Sequence, residues 1–180
     1  MTGQKQIKNA LISVYSKERL EPVVRKLHQL GIRLFSTGGT QKFITDLGLP
    51  VTAVEELTSY PSILGGRVKT LHPKIFGGIL ARRAEQSDRR QLEEYEIPEI
   101  DLVIVDLYPF EETVLSGAPH QEIIEKIDIG GISLIRAAAK NYQDVLVVSL
   151  RRQYDALLSI LEEEQGKTTS ETRKDYAREA

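Results

Sequence analysis

The chain has 180 residues, of which 41% are hydrophobic and 28% are charged, so it can bury the core of one globular domain. Its 24 basic and 26 acidic residues leave a formal net charge of -2, which argues against nucleic acid as a partner. The sequence has no cysteine, which excludes disulfides, thiolate metal sites and cysteine nucleophiles. No apolar run approaches the roughly 20 residues of a membrane span, and the N-terminus is polar. We therefore expect a cytoplasmic protein with no membrane partner.

The first third of the chain alternates strands with helices. Residues 10–15 form an apolar run that predicts a buried strand, and residues 18–30 carry apolar side chains at helical spacing. Gly31 stands where a glycine commonly ends a helix. The alternation continues with a strand at 32–35, a helix at 40–47 and a strand at 51–54.

Residues 55–74 interrupt this alternation, because they show no period and are rich in Gly, Ser, Thr and Pro. Loops of that length are uncommon inside a domain and are often functional. The alternation then resumes with helices at 74–83, 87–95, 120–126, 132–141 and 151–164, and with strands at 101–108 and 145–148. Residues 162–170 are polar and indicate a linker, and residues 170–180 have a helical composition without a closing turn. The pattern predicts an α/β fold, an open and mostly parallel sheet flanked by helices, with one domain over residues 1–165.

Two polar clusters follow adjacent strands of the predicted sheet. Residues 13–17 and residues 36–40 combine hydroxyls, a lysine and two glycines. Ligands collect at the carboxyl ends of parallel strands, and backbone N–H groups at a helix start bind anions. A Ser/Gly turn of this kind is often only a helix cap, but two such clusters after adjacent strands favour a phosphate site.

A third cluster, residues 65–72, lies in the aperiodic loop. On extended backbone Arg67 and Lys69 would project to the same side, and the pair suits an anion or a developing negative charge. A solvated basic loop fits the spacing equally well.

Further candidates come from the second half of the chain. Asp106 and Tyr108 place a carboxylate and a phenol at the end of the clearest strand, whereas Asp128 and Lys140 flank a helix. For these last two, the residues alone favour a helix cap and a helix-end cation over catalytic roles. The three histidines show no metal-ligand spacing, so no metal is expected. The residues by themselves indicate an α/β domain that binds a small phosphorylated ligand.

Four motifs carry a family resemblance. They are Ser-Thr-Gly-Gly-Thr at 36–40, Gly-Gly-Arg-Val-Lys-Thr-Leu-His-Pro at 65–73, Asp-Leu-Tyr-Pro-Phe at 106–110 and Asp-Ile-Gly-Gly at 128–131. From about residue 8 to about residue 165, the chain resembles the N-terminal cyclohydrolase domain of bifunctional AICAR transformylase/IMP cyclohydrolase. The first motif is shared with methylglyoxal synthase and with the regulatory domain of carbamoyl-phosphate synthetase, whereas the combination of the other three is specific.

The resemblance implies a methylglyoxal-synthase-like fold and the activity of an IMP cyclohydrolase, a hydrolase of the cyclic amidine class. This enzyme closes formyl-AICAR (FAICAR) to IMP with loss of water, at the end of purine biosynthesis. The resemblance also implies no metal, no organic cofactor, a nucleotide as the small-molecule partner, and a homodimer. Residues 166–180 would begin a linker toward a transformylase domain that this chain lacks, so formyl transfer is expected only of a full-length bifunctional enzyme.

Site residues follow from the resemblance position by position. The catalytic set would be Lys69, Tyr108, Asp128 and Lys140. Lys69 and Tyr108 would polarise the formyl oxygen, Asp128 would orient or deprotonate the carboxamide nitrogen, and Lys140 would exchange the proton. Nucleotide contacts would come from Ser13, Tyr15, Ser16, Lys17, Thr37, Gly38, Gly39, Thr40, Arg67, Val68, Thr70, Val105, Asp106, Ile129 and Gly130.

Two departures from the family pattern bear on this site. Tyr15 and Ser16 stand where many relatives have Ser-Asp, and Asp106 stands where many have asparagine. A carboxylate cannot donate a hydrogen bond as an amide can, so Asp106 could contact the base or ribose only as an acceptor.

Two other functions remain as alternatives. A methylglyoxal synthase would need a histidine beside the phosphate loop, and none is so placed. A regulatory nucleotide-binding module would need no catalytic set.

Overall fold

The computed structural model describes residues 3–180, and within them seven strands and ten α-helices. The strands are β1 (Lys5–Gln6), β2 (Asn9–Val14), β3 (Arg33–Ser36), β4 (Thr52–Ala53), β5 (Leu102–Asp106), β6 (Leu146–Val148) and β7 (Lys167–Thr168). The helices are α1 (Leu20–Gln29), α2 (Gly38–Asp46), α3 (Val54–Thr58), α4 (Pro73–Leu80), α5 (Gln86–Glu94), α6 (Phe110–Leu115), α7 (His120–Glu125), α8 (Ile129–Lys140), α9 (Tyr154–Glu163) and α10 (Ser170–Glu179). Short 3-10 turns cover Leu64–Gly66 and Arg151–Gln153.

A five-stranded parallel sheet in the order β4-β3-β2-β5-β6 forms the centre of the fold. The chain builds outward from β2 to β3 and β4 on one side, and then crosses to β5 and β6 on the other. This reversal leaves a switch point between the carboxyl ends of β2 and β5, which is where open α/β sheets bind ligands. The register pairs Val14 with Asp106 at that edge.

The sheet is buried on both faces, as a parallel sheet requires. Along β2, Ala10, Ile12 and Val14 join the core that is formed with α1 and α9, whereas Leu11 faces the opposite core under α4 and α8. Side chains alternate across a strand, so a continuous apolar run serves both cores at once. The predicted α/β fold with a parallel sheet is therefore confirmed.

The structure corrects several predicted boundaries. Helix α8 begins at Ile129 rather than at 132, because Asp128 caps it and Gly130 and Gly131 fit into its first turn. The strand predicted over 101–108 ends at Asp106, and the following residues leave the sheet toward the unpredicted helix α6. Within the stretch that we expected to be aperiodic, residues 55–74, the structure has α3, a 3-10 turn and the start of α4.

Residues 166–180, which the resemblance predicted to begin a linker, pack against the domain in this structure. Strand β7 pairs with β1, and α10 packs against β6 and α8. The guanidinium of Arg173, 1% exposed, donates to the carbonyl oxygens of Tyr142, Gln143, Thr168 and Gly3. The segment is anchored by hydrogen bonds from one buried cation, which a hydrophobic pattern does not reveal.

No helix among the described residues is both long enough and apolar enough to span a membrane.

Candidate active site

A cavity of about 720 Å³ opens at the switch point between β2 and β5. That volume is within the range of small-molecule sites. Its walls come from the ends of both strands, the 65–70 loop, α7 and the first turn of α8. The lining residues are Ser13, Val14, Tyr15, Gly65, Gly66, Arg67, Lys69, Thr70, Asp106, Tyr108, Gln121, Ile124, Glu125, Lys126, Ile127, Asp128, Ile129, Gly130 and Gly131.

An anion cradle lies at the start of α2. Gly38 and Gly39 are exposed, Gly38 has a φ of 55°, and the Thr37 side chain makes no capping hydrogen bond. The first N–H groups of a helix have no partner within it, so they are available to an anion. A Cβ on Gly38 would lie 4.0 Å from Lys69 Nζ, and one on Gly39 would lie 3.7 Å from Lys17 Nζ. Two ammonium groups therefore flank the turn.

Lys17 is held in this position by the end of β2. Its Nζ donates to the carbonyl oxygens of Val14 at 2.7 Å and Tyr15 at 2.8 Å. Burial lowers the pKa of the Lys17 ammonium, and the Asp106 carboxylate opposes that shift. The lysine is thus fixed before any ligand arrives.

Asp106 has partners within the protein. Its Oδ2 accepts a hydrogen bond from the Ser16 backbone N–H at 2.8 Å, and its Oδ1 lies 3.7 Å from Arg151 Nε. A carboxylate suits both neighbours, since it accepts from the amide and balances the guanidinium. Asp106 thereby shapes the loop that carries Lys17.

Tyr108 stands on one wall of the cavity against Tyr15. Their ring centroids are 5.4 Å apart and the planes meet at 81°, an edge-to-face arrangement. Burial, followed by the charges of Asp128 and Tyr15, raises the pKa of the Tyr108 phenol. The phenol therefore stays protonated at neutral pH and can donate a hydrogen bond.

Asp128 combines two roles in the structure. It is the N-cap of α8, with Oδ1 accepting from the Gly131 N–H at 2.6 Å, and it also lines the cavity. A Cβ on Gly131 would collide with this carboxylate, and one on Gly130 would lie 2.6 Å from Thr70 Oγ1. The two glycines thus let the start of α8 approach both its own cap and the 65–70 loop.

An ion pair crosses the mouth of the cavity. Arg67, on the 65–70 loop, pairs with Glu125 at the end of α7, and both side chains are exposed. The arginine that was expected to contact the nucleotide is therefore engaged by a carboxylate in this structure.

Lys140 does not join the other three expected catalytic residues. It is exposed at the last residue of α8, whereas Asp128 precedes the first. Twelve residues at 1.5 Å per residue separate them by about 18 Å along the helix. Within one chain the geometry brings Lys69, Tyr108 and Asp128 together and leaves Lys140 outside.

Several residues that were expected to contact the nucleotide are buried or have hydrogen-bond partners within the protein. The Thr40 hydroxyl donates to Val14 O at 2.9 Å and accepts from Val14 N at 3.1 Å, and the Thr37 hydroxyl donates to Glu55. Val105 is buried in the core, and Ser16 contributes its N–H to Asp106. These residues are buried or hydrogen-bonded within the protein, and their contacts with a ligand stay predictions. Val68 lies in the loop between lining residues. The expected contact residues that line the cavity are Ser13, Tyr15, Arg67, Thr70, Asp106, Ile129 and Gly130.

The residues that sequence reasoning missed lie mainly on α7 and its C-terminal side. Five residues line the cavity without belonging to any motif quoted above, namely Gln121, Ile124, Glu125, Lys126 and Ile127. Their helix was predicted, but its orientation depends on how the 107–127 segment folds back. Only Thr113 is buried in that segment, so no apolar face marks it.

The fold and the site define a known class of domain. The model of the MGS-like domain family matches residues 19–133, and that of the AICARFT/IMPCHase bienzyme family matches residues 138–180. The chain belongs to the MGS-like domain family.

Curated relatives and a solved structure are similar over nearly the whole chain. The bifunctional purine biosynthesis protein PurH of Bacteroides thetaiotaomicron is 62% identical over 180 residues, which is 100% of this chain and 36% of the relative. The protein of the same name from Listeria monocytogenes serotype 4b (strain F2365) is 50% identical over 172 residues, 95% of this chain and 34% of the relative. The crystal structure of ForH has a TM-score of 0.78 and 36% identity, covering 97% of this chain and 90% of that one. The chain thus spans about a third of the curated relatives and nearly all of ForH.

Proposed function

We propose that this chain is an IMP cyclohydrolase, which closes formyl-AICAR to IMP with release of water. One observation carries the proposal: Lys69 lies both beside the anion cradle at the start of α2 and in the lining of a cavity that also holds the Tyr108 phenol and the Asp128 carboxylate. The names of the PurH relatives, which describe purine biosynthesis, and the match to the AICARFT/IMPCHase bienzyme family support it. The formyltransferase step, which the resemblance assigns to a full-length bifunctional enzyme, is not proposed for this chain.

The reaction needs positioning and proton movement more than it needs a cofactor. The carboxamide nitrogen forms a bond to the formyl carbon, and the formyl oxygen becomes a hydroxyl. Loss of that hydroxyl with the proton of the formamido nitrogen gives the ring double bond and one water. Both reacting groups belong to one molecule, so holding a near-attack conformer accounts for much of the acceleration.

The position of each residue in or beside the cavity determines its proposed role. The nucleotide phosphate binds at the start of α2 between Lys17 and Lys69. Tyr108 donates to the formyl oxygen as it gains charge, and Asp128 orients the carboxamide nitrogen and accepts its proton. Lys69 reaches the junction of the cradle and the cavity, where its charge stabilises the tetrahedral carbon's oxygen.

Lys140 has no role in this scheme, because it lies outside the site that is formed by one chain. Its place in the last turn of α8 supports a stabilising interaction with the helix dipole. A homodimer and a cytoplasmic location are proposed on the family resemblance.

The test is a spectrophotometric assay of the purified chain with formyl-AICAR, run in parallel with dihydroxyacetone phosphate and with IMP binding by calorimetry. We expect formation of IMP, no methylglyoxal, and a loss of about 10²–10³ in kcat for Tyr108→Phe. Release of methylglyoxal would make the chain a methylglyoxal synthase. Tight IMP binding without turnover would make it a regulatory module, and either result would overturn the proposal.

A further inference from the structure

Lys126 lies against both tyrosines of the cavity wall. Its Nζ is 5.2 Å from the ring centroid of Tyr15 and 6.0 Å from that of Tyr108, while the two rings contact each other edge to face. These distances are within the range of cation–π interactions. One ammonium group therefore bridges two aromatic side chains that come from different strand ends.

The three side chains are brought together by separate elements. Tyr15 follows β2, and its N–H donates to Asp106 O at 3.0 Å. Tyr108 follows β5, and Lys126 is the C-cap of α7, two residues before Asp128. Because Tyr108 is 40% exposed, surrounding packing alone does not hold its ring. The contacts with Tyr15 and Lys126 limit its freedom.

Lys126 is also the cation that faces the Tyr108 ring. The other groups facing the phenol are Tyr15 and the Asp128 carboxylate, and burial together with these two raises its pKa. The remaining ionisable residues that line the cavity are Arg67, Lys69, Asp106 and Glu125. A positive charge within about 6 Å favours the phenolate and strengthens the phenol as a donor.

We propose that Lys126 is a positioning residue for Tyr108, whose ammonium holds the phenol ring against Tyr15 and increases its hydrogen-bond donor strength toward the reacting oxygen. The inference rests on the proposed cyclohydrolase function and adds to it a residue outside the four motifs. Lys126 acts through Tyr108, so its removal affects the chemical step more than substrate binding.

The first test needs no activity. The phenolate absorbance of Tyr108 is titrated in Lys126→Met and Lys126→Arg, with Tyr108→Phe versions of each subtracted to remove the other tyrosines. Arginine stays protonated throughout the titration, so the pair compares a permanent cation with none. We expect Tyr108 to titrate about one pH unit higher in Lys126→Met than in Lys126→Arg. Equal titration in the two variants would overturn the proposal.

The second test is a double-mutant cycle on formyl-AICAR turnover. We expect Lys126→Met to lower kcat about tenfold with KM within about twofold, and Lys126→Arg to retain most of the activity. In the Tyr108→Phe background, Lys126→Met should lower kcat less than about twofold, because Lys126 acts through the Tyr108 phenol. Lys174→Met, an exposed lysine on α10, is the matched control and should behave as wild type.

Outcomes of the two tests separate this inference from the function it rests on. An inactive wild type would overturn the cyclohydrolase proposal, while the titration would still decide whether Lys126 acts on Tyr108. In an active enzyme, the positioning role would be overturned if Lys126→Met lowered kcat as much in the Tyr108→Phe background as in the wild type. It would also be overturned if Lys126→Met changed KM alone.

Discussion

Buried charged side chains at the amino end of the parallel sheet have protein partners, whereas some charged side chains at the carboxyl end face a cavity. At the amino end, Asp101 accepts hydrogen bonds from the N–H groups of Lys8 and Asn9 at 2.8 Å and pairs with Arg83. The guanidinium of Arg173 likewise donates to backbone carbonyl oxygens. At the carboxyl end, Lys69 and Lys126 instead face a cavity. Buried charge whose partners are protein atoms stabilises the fold, whereas charge directed into a cavity is available to a ligand.

The largest expected effect is on stability, at the amino end. Asp101 and Arg83 are 5% and 8% exposed, so Asp101→Ala would remove the buried carboxylate and leave the guanidinium only the more exposed Glu99, 3.6 Å away. We expect a loss of about 3–5 kcal/mol in the free energy of unfolding, with kcat unchanged at temperatures where the variant is folded. Urea unfolding measures the first quantity. Asp101→Asn, which keeps the shape of the side chain, replaces the alanine variant if that variant does not fold. A fall in kcat of the folded protein would contradict the assignment of Asp101 to stability alone.

Lys69 gives the largest expected effect on chemistry. Lys69→Met keeps the length of the side chain and removes its charge, and we expect a loss of about a hundredfold in kcat. The affinity for IMP should fall much less, because the transition state gains more from the charge than the product does. Steady-state kinetics and IMP calorimetry measure the two quantities.

The matched control for Lys69 is Lys17, the other ammonium at the start of α2. Lys17→Met should weaken IMP binding at least as much as it lowers kcat. Equal losses in kcat and IMP affinity for Lys69→Met would make Lys69 a second phosphate clamp rather than a catalytic group.

A smaller effect is expected at the mouth of the cavity. Glu125→Gln releases Arg67 from an exposed ion pair, of a kind worth about 0.2–1 kcal/mol. We expect IMP affinity to rise about two- to threefold by calorimetry, with an unchanged melting temperature. Glu122→Gln on the same helix, outside the cavity lining, should change neither quantity. Weaker binding in Glu125→Gln would mean that the carboxylate orients Arg67 instead of competing with the ligand.

The smallest effect is expected at Lys140. As a helix-end cation it contributes about 0.3–1 kcal/mol through the helix dipole, so Lys140→Gln should lower the melting temperature slightly and leave kcat nearly unchanged. Arg136→Gln, one turn earlier and also exposed, is the control. A hundredfold loss in kcat for Lys140→Gln alone would contradict a site built within one chain and would indicate that Lys140 reaches the cavity of another copy.

The regular elements were predictable because both cores depend on local patterns. The strands at 9–14 and 146–148 follow continuous apolar runs, and helix α1 follows a clear amphipathic stripe. The start of α8 was predicted three residues late because Gly130 and Gly131 resemble a turn, although the sequence favoured Asp128 as a helix cap. Packing of residues 166–180 was missed because one buried arginine organises it.

The candidate site was predictable where motifs carry it and not elsewhere. The family resemblance groups Tyr108 with Asp128, and both line the cavity, whereas the phosphate cradle at the start of α2 stays a prediction. The contacts of Lys126 and Glu125 depend on how the 107–127 segment folds back over the cavity, and its exposed apolar residues follow no period. Distances between segments that are far apart in sequence arise only in the folded protein.

The most direct test of the account is the kcat of Asp128→Asn with formyl-AICAR, measured beside its melting temperature. Asparagine caps a helix as well as aspartate does, so the start of α8 should keep its stability. The change removes only the charge that is proposed to accept the carboxamide proton. We expect a loss of about a hundredfold or more in kcat at an unchanged melting temperature. A variant that closes formyl-AICAR at the wild-type rate would contradict this expectation.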